Sequence, residues 1–149
     1  MNIFEDKLEK IIIANDLEEL KSLFLYLNKE FCDDVNIYNH HINYSLEEAS
    51  MYNMTDIVMY ILINYKNILY DSAVNYSLRA ASIYYRINII KYILYNYSFI
   101  ITNDTIDISI VSAKEYSYSS DIVRYLMFYK SFRKYNLSRF KYKNTIILY

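Results

Sequence analysis

The sequence predicts an all-α solenoid of about four stacked helix-turn-helix repeats, and three observations predict it. The segment Asn43-Tyr44-Ser45-Leu46 with Ala49-Ser50 recurs 32 residues later as Asn75-Tyr76-Ser77-Leu78 with Ala81-Ser82, and again as Asp107-Ile108-Ser109-Ile110 with Ala113. Each copy is followed by an apolar run at helical spacing, at residues 56–62, 88–94 and 121–127. The 149-residue chain also contains no Gly and no Pro, so it lacks the usual turn residues and helix breakers. A fixed period of this length is the mark of a repeat architecture, in which no unit buries its apolar face alone.

Taken in order, residues 8–24 read as a faint first copy, with a second half from Asp16 to Phe24. In the second unit Leu46, Ala49 and Ser50 share one helical face, and Ser45 is expected to cap a short first helix with Glu48 completing a capping box. Ser77 is expected to cap the same helix in the third unit. The second helices present Ile57, Ile61 and Leu62, then Ile89, Ile93 and Leu94. Tyr60, Tyr92 and Tyr125 fall inside that apolar pattern and are expected in the core. The fourth unit has one extra residue in its turn, at residues 117–120. The expected repeats span about residues 5–38, 39–70, 71–102 and 103–135, with a basic cap at 136–149, all in one domain.

Composition sets the setting. With 54% hydrophobic residues and a net charge of −1, the chain is able to bury a core and is not a charged disordered polymer. The single Cys32 rules out an internal disulfide, and the opening residues lack a signal-peptide pattern, which fits an intracellular, cytoplasmic setting. No apolar stretch is long enough to span a bilayer, and no membrane partner is expected. Residues 1–56 carry 12 acidic and 4 basic side chains, residues 57–121 five of each, and residues 122–149 no acidic and 7 basic ones. Such polarity suits either solvated array ends or head-to-tail self-association.

The order Tyr-Ser-Leu, two residues, Ala-Ser, then an Ile-Val or Ile-Ile pair eight residues after the Ala, a Lys or Arg, Tyr and two aliphatics, resembles the ankyrin repeat. The resemblance covers residues 5–130 or so. The bias toward Ile, Asn, Lys and Tyr is similar to that of ankyrin proteins of large A+T-rich DNA viruses, of poxvirus or giant-virus type. This likeness implies a protein-binding module with no catalytic residues and no cofactor, and a host-cell protein as the target. The partner-facing positions it implies are Asn43, Met51 and Tyr52, then Asn75, Ile83 and Tyr84, then Asp107, Glu115 and Tyr116. Where the family has Gly between its helices, this chain has Asn15, Asn53, Tyr85 and Ser117; where it has Gly after the second helix, this chain has Tyr65 and Tyr97. A tyrosine forced into the left-handed region is strained by about 1 kcal/mol or more, so shifted helix ends and irregular loops around 66–75 and 98–107 are expected.

Other chemistries find little support. Without glycine no phosphate-cradling loop forms. Cys32, Asp33, Asp34, His40 and His41 have ligand chemistry but no metal-site spacing, and no metal is expected. Lys130, Arg133, Lys134, Arg139, Lys141 and Lys143 alternate with aromatic residues, a pattern that can hold single-stranded nucleic acid. Set against it is a polar cap closing the array. A third reading is a single helical bundle of the viral Bcl-2-like type, whose length is similar.

Overall fold

The structure is a computed structural model; it describes residues 3–117 and 120–145, with side-chain surroundings from Phe4 to Tyr116 and from Ser120 to Lys134. The described residues form eight α-helices and no strand: α1 (Ile3–Ile13), α2 (Leu17–Glu30), α3 (Val35–Met51), α4 (Thr55–Asn64), α5 (Asp71–Ile83), α6 (Ile87–Asn96), α7 (Asn103–Ser112) and α8 (Ser120–Thr145). A 3₁₀ turn at Lys66–Ile68 follows α4, and a π-helical turn at Ala113–Ser117 follows α7.

The helices pack in sequence order. The first helix of each pair rests on its successor, α1 on α3, α3 on α5 and α5 on α7, and each also packs against the second helix of its own pair. The core repeats with the sequence. Ile42, Val74 and Ile106 are buried, as are Leu46, Leu78 and Ile110, Ala49, Ala81 and Ala113, and Ile57, Ile89 and Ile122. The small alanine position lets neighbouring helices approach closely, while the aliphatic positions fill the layers between them.

Three of the four turns within helix pairs are made by residues at the positions where the family has glycine. Asn15, Asn53 and Tyr85 have φ of 54°, 62° and 60°. In each case the residue that follows begins or caps the next helix, so one left-handed residue reverses the chain. Tyr85 adopts this geometry although it gains none of the local side-chain bonding that makes it tolerable for Asn. The fourth turn differs in its described part: Ala113–Ser117 is π-helical, and Ser117, the position expected to be left-handed, is not.

Several expectations are corrected. The first helices are longer and start earlier than expected, so Ser45 and Ser77 are not caps and Ser45-Glu48 is no capping box. Both serines are buried mid-helix and donate to the carbonyl four residues back, Ser45 to His41 at 2.8 Å and Ser77 to Ala73 at 2.9 Å. The helix caps are instead Asp16, Asp34 and Thr102, which accept from Glu19, Ile37 and Thr105 amides. The second unit opens at Val35 rather than at residue 39. Tyr65 and Tyr97 escape strain, with φ of −118° and −121°, because α4 and α6 end without a left-handed residue. The loops there are short, and α5 and α7 begin at Asp71 and Asn103. Helix α8 runs through the boundary expected for a separate cap at residue 136.

Candidate partner-binding surface

The last turn of each first helix delivers its side chains to one edge of the array. Met51, Tyr84, Glu115 and Tyr116 are exposed there, and Tyr52 and Ile83 are half-buried. Tyr84 and Tyr116 show 41% and 66% of their surface, enough to offer a ring face to a partner. Tyr52 is tied down: its hydroxyl donates to Glu9 at 2.9 Å, and that bond with burial raises its pKa. Beside it, burial and the carboxylates of Glu48, Glu9 and Glu5 push Tyr44 up to about 12. Glu48 is itself raised by burial and by its neighbours Glu9 and Glu47. This end of the edge is therefore electronegative.

The opening positions behave otherwise. Asn43 is buried, and its amide donates to Asn39 and Ile68 carbonyls at 2.8 and 2.9 Å while its oxygen accepts from the Tyr70 amide at 2.6 Å. It pins the loop between the second and third units and does not face a partner. Asn75, at the equivalent place, is half-buried with its Oδ1 buried and unpartnered among the described residues. Asp107 accepts from Lys130 with both oxygens, at 2.6 Å, joining α7 to α8. The nine positions implied by the resemblance thus divide into an exposed edge and a set that holds the loops.

The basic residues divide similarly. Lys130 is spent on Asp107, and Arg133 donates to the Ile101 carbonyl. Lys134 is exposed. Arg139, Lys141 and Lys143 lie outside the residues whose side chains are described. Lys130 thus fastens α7 itself to α8, and Arg133 fastens the loop before α7.

The histidine and acid cluster lands between α1 and the start of α3, where Glu5, Asp34, His40 and His41 line a cleft of about 380 Å³. His40 meets Glu5 at 3.2 Å. His41 is fully buried against the rings of Phe4 and Phe31, neither ring nitrogen has a hydrogen-bond partner among the described residues, and burial lowers its pKa. Cys32 is exposed, and no group of three or more ligand side chains suited to a metal occurs among the described residues.

Sequence reasoning missed the tyrosine latches. The Tyr97 hydroxyl donates to the Leu62 carbonyl at 2.5 Å, and the Tyr129 hydroxyl to the Leu94 carbonyl at 3.0 Å. Donors and acceptors are each 32 residues apart, so the same device fastens Tyr97 to the last turn of α4 and Tyr129 to that of α6, while the equivalent Tyr65 meets the Tyr60 hydroxyl instead. The sequence signal was present, since Tyr97 and Tyr129 share the period, but glycine-based reasoning cast Tyr97 as a defect. Comparison with known proteins gives no match to a family model, a curated protein or a solved structure.

Proposed function

We propose that the chain is an ankyrin-like solenoid that binds another protein along the edge formed by the ends of its first helices. One observation carries this reading. Exposed Tyr84 and Tyr116, with Met51 and Ile83, recur at the repeat spacing on the same edge, where left-handed turns at Asn53 and Tyr85 hold two of the helix ends. Aromatic anchors on a rigid scaffold give a large contact area at little entropic cost. The succession of first helices supports a stacked array over a bundle of the Bcl-2 type. The use of Lys130 and Arg133 inside the fold favours a capping role for α8 over nucleic-acid binding. A host-cell protein remains the proposed target, in the cytoplasm.

The test is affinity capture from cell extract with the wild type and with Tyr84→Ala/Tyr116→Ala. Retained proteins are expected to disappear from the double variant while its thermal melt is unchanged. An identical set of captured proteins for both chains sinks the reading.

A further inference from the structure

A second surface lies on the other helix of each pair. Leu25, Ile63 and Tyr95 each stand nine residues after the N-cap of their helix, and Phe128 follows Tyr95 by 33 residues in α8. These four side chains are exposed by 73%, 54%, 85% and 68%. Isolated exposed hydrophobes are ordinary, but the same position left uncovered in all four units is a row. Phe24, Leu62 and Leu94, one residue earlier in the first three units, are buried in the core. The row residues therefore point about 100° away from it.

The flanks of the row are cationic. Four residues earlier stand Lys21, Met59, Lys91 and Arg124, and one turn later stand Lys29, Lys66, Phe99 and Phe132. Lys66 and Lys91 lie over the rings of Tyr97 and Tyr125, at 5.6 and 5.8 Å, rather than against carboxylates. Lys21 and Arg124 pair with Glu18 and Asp121, which stand seven residues before Leu25 and Phe128 and so on the same helical face, two turns from the row. Phe128 stacks on Phe132 with ring centroids 6.4 Å apart, lengthening the apolar strip at the last unit.

We infer that this row is a peripheral docking surface for an anionic lipid bilayer. Protruding aromatic and aliphatic side chains flanked by lysines suit the headgroup boundary, where rings enter the interface and cations meet lipid phosphates. Residues 57–149 carry 12 basic against 5 acidic side chains, which complements a negative membrane surface. The acidic first unit is the least suited end, so Ile63, Tyr95 and Phe128 carry the contact. A protein partner would need pockets to receive these side chains, whereas lipid deforms around them. No helix among the described residues is long and apolar enough to cross a membrane, so attachment is to the surface only.

Vesicle sedimentation tests this inference. The full chain is mixed with phosphatidylcholine vesicles, either pure or containing about a third phosphatidylserine. The wild type is expected to sediment with the anionic vesicles and far less with the neutral ones. Tyr95→Ser/Phe128→Ser is expected to lose at least about tenfold in partitioning, with an unchanged melt because both side chains are mostly in solvent. Tyr84→Ser/Tyr116→Ser, on the other edge, should partition like the wild type. Absence of sedimentation with either vesicle overturns the proposal. So does undiminished binding of Tyr95→Ser/Phe128→Ser, which would assign retention to the basic residues 130–143, and so does equal loss in both double variants.

Discussion

Replacing Tyr97 with Phe removes one oxygen and leaves the ring, its burial and its contact with Lys66 in place. The lost hydroxyl donates to the carbonyl of Leu62, which belongs to the last turn of α4. The final carbonyls of a helix have no amide partner within it, so Leu62 is left with a buried acceptor and nothing to replace the donor. A typical hydrogen bond contributes about 1 kcal/mol net, and a stranded buried acceptor costs about 1–3 kcal/mol. The larger range applies here because Tyr97 is 1% exposed and water cannot enter without displacing the ring. For a chain of this size that corresponds to a fall in Tm of roughly 3–10 °C. Thermal unfolding followed by circular dichroism measures it, with Tyr95→Phe as the control because Tyr95, two residues away, lies in solvent. A Tyr97→Phe melt indistinguishable from that of Tyr95→Phe would refute the latch.

Three further outcomes are expected from the same assay. Asn43→Ala strands the Ile68 carbonyl and the Tyr70 amide and should cost about 2–4 kcal/mol, whereas Asn75→Ala, whose oxygen is already unpartnered, should cost far less; equal losses would remove the assigned role of Asn43. Tyr85→Asn keeps the left-handed turn with a residue that tolerates it and should stabilise by about 1 kcal/mol, while the same change at Tyr97, whose φ is negative, should destabilise. Burial, and secondarily the neighbouring His40, lower the His41 pKa below the usual 6.5, against a weaker pull upward from Glu5. The unfolded chain thus takes up a proton first, and stability present above pH 6.5 is lost as the pH falls below it. Glu48 acts in the opposite sense, since its raised pKa lets the folded state bind a proton before the unfolded chain does as the pH falls. His41→Phe should flatten the loss near pH 6, and a wild-type melt constant from pH 7 to 5.5 would contradict the buried neutral imidazole.

The helical character and the core were legible because both depend on periodicity. Ile42, Leu46, Ala49, Ile57 and Ile61, with their counterparts one and two repeats on, are the positions that the 32-residue spacing marks as apolar, and all are buried. The left-handed turns at Asn15 and Asn53 were legible as well, because a short helix-helix turn needs such a residue and Asn tolerates it, whereas Tyr85, expected to avoid that region through a shifted helix end, adopts it. Helix starts were not. Ser45 and Ser77 look like caps in isolation, but a serine also pays little penalty mid-helix when its hydroxyl bonds four residues back, and only the packing decides between these uses. The edge residues were legible as a register yet not as an exposure. Asn43 shares the repeat with Asn75 and Asp107, and the loop below each one determines whether its side chain turns inward or meets a partner.

An array without glycine or proline, and without strands among its described residues, still has to secure the segments between its units, and side chains do this work here. The loop after α4 is held by Asn43 through Ile68 and Tyr70. The loop after α6 is held by Arg133 through Ile101, so the donor has moved from the preceding first helix to the final helix. That exchange concerns the donor only: the acceptor role that Asn43 plays toward the Tyr70 amide has no counterpart at Asn75, whose oxygen is unpartnered among the described residues. The change of donor accounts for part of the charge polarity. At the start of the array the loop donor is a neutral amide, whereas at the end it is a guanidinium, joined by the Lys130 ammonium on Asp107. A cation can reach a carbonyl from an adjoining helix across a distance that Asn cannot span, and its bond is the stronger of the two. Lys130 and Arg133 therefore spend their charge on contacts within the fold, whereas Arg124 pairs with Asp121 inside α8 and Lys134 is exposed.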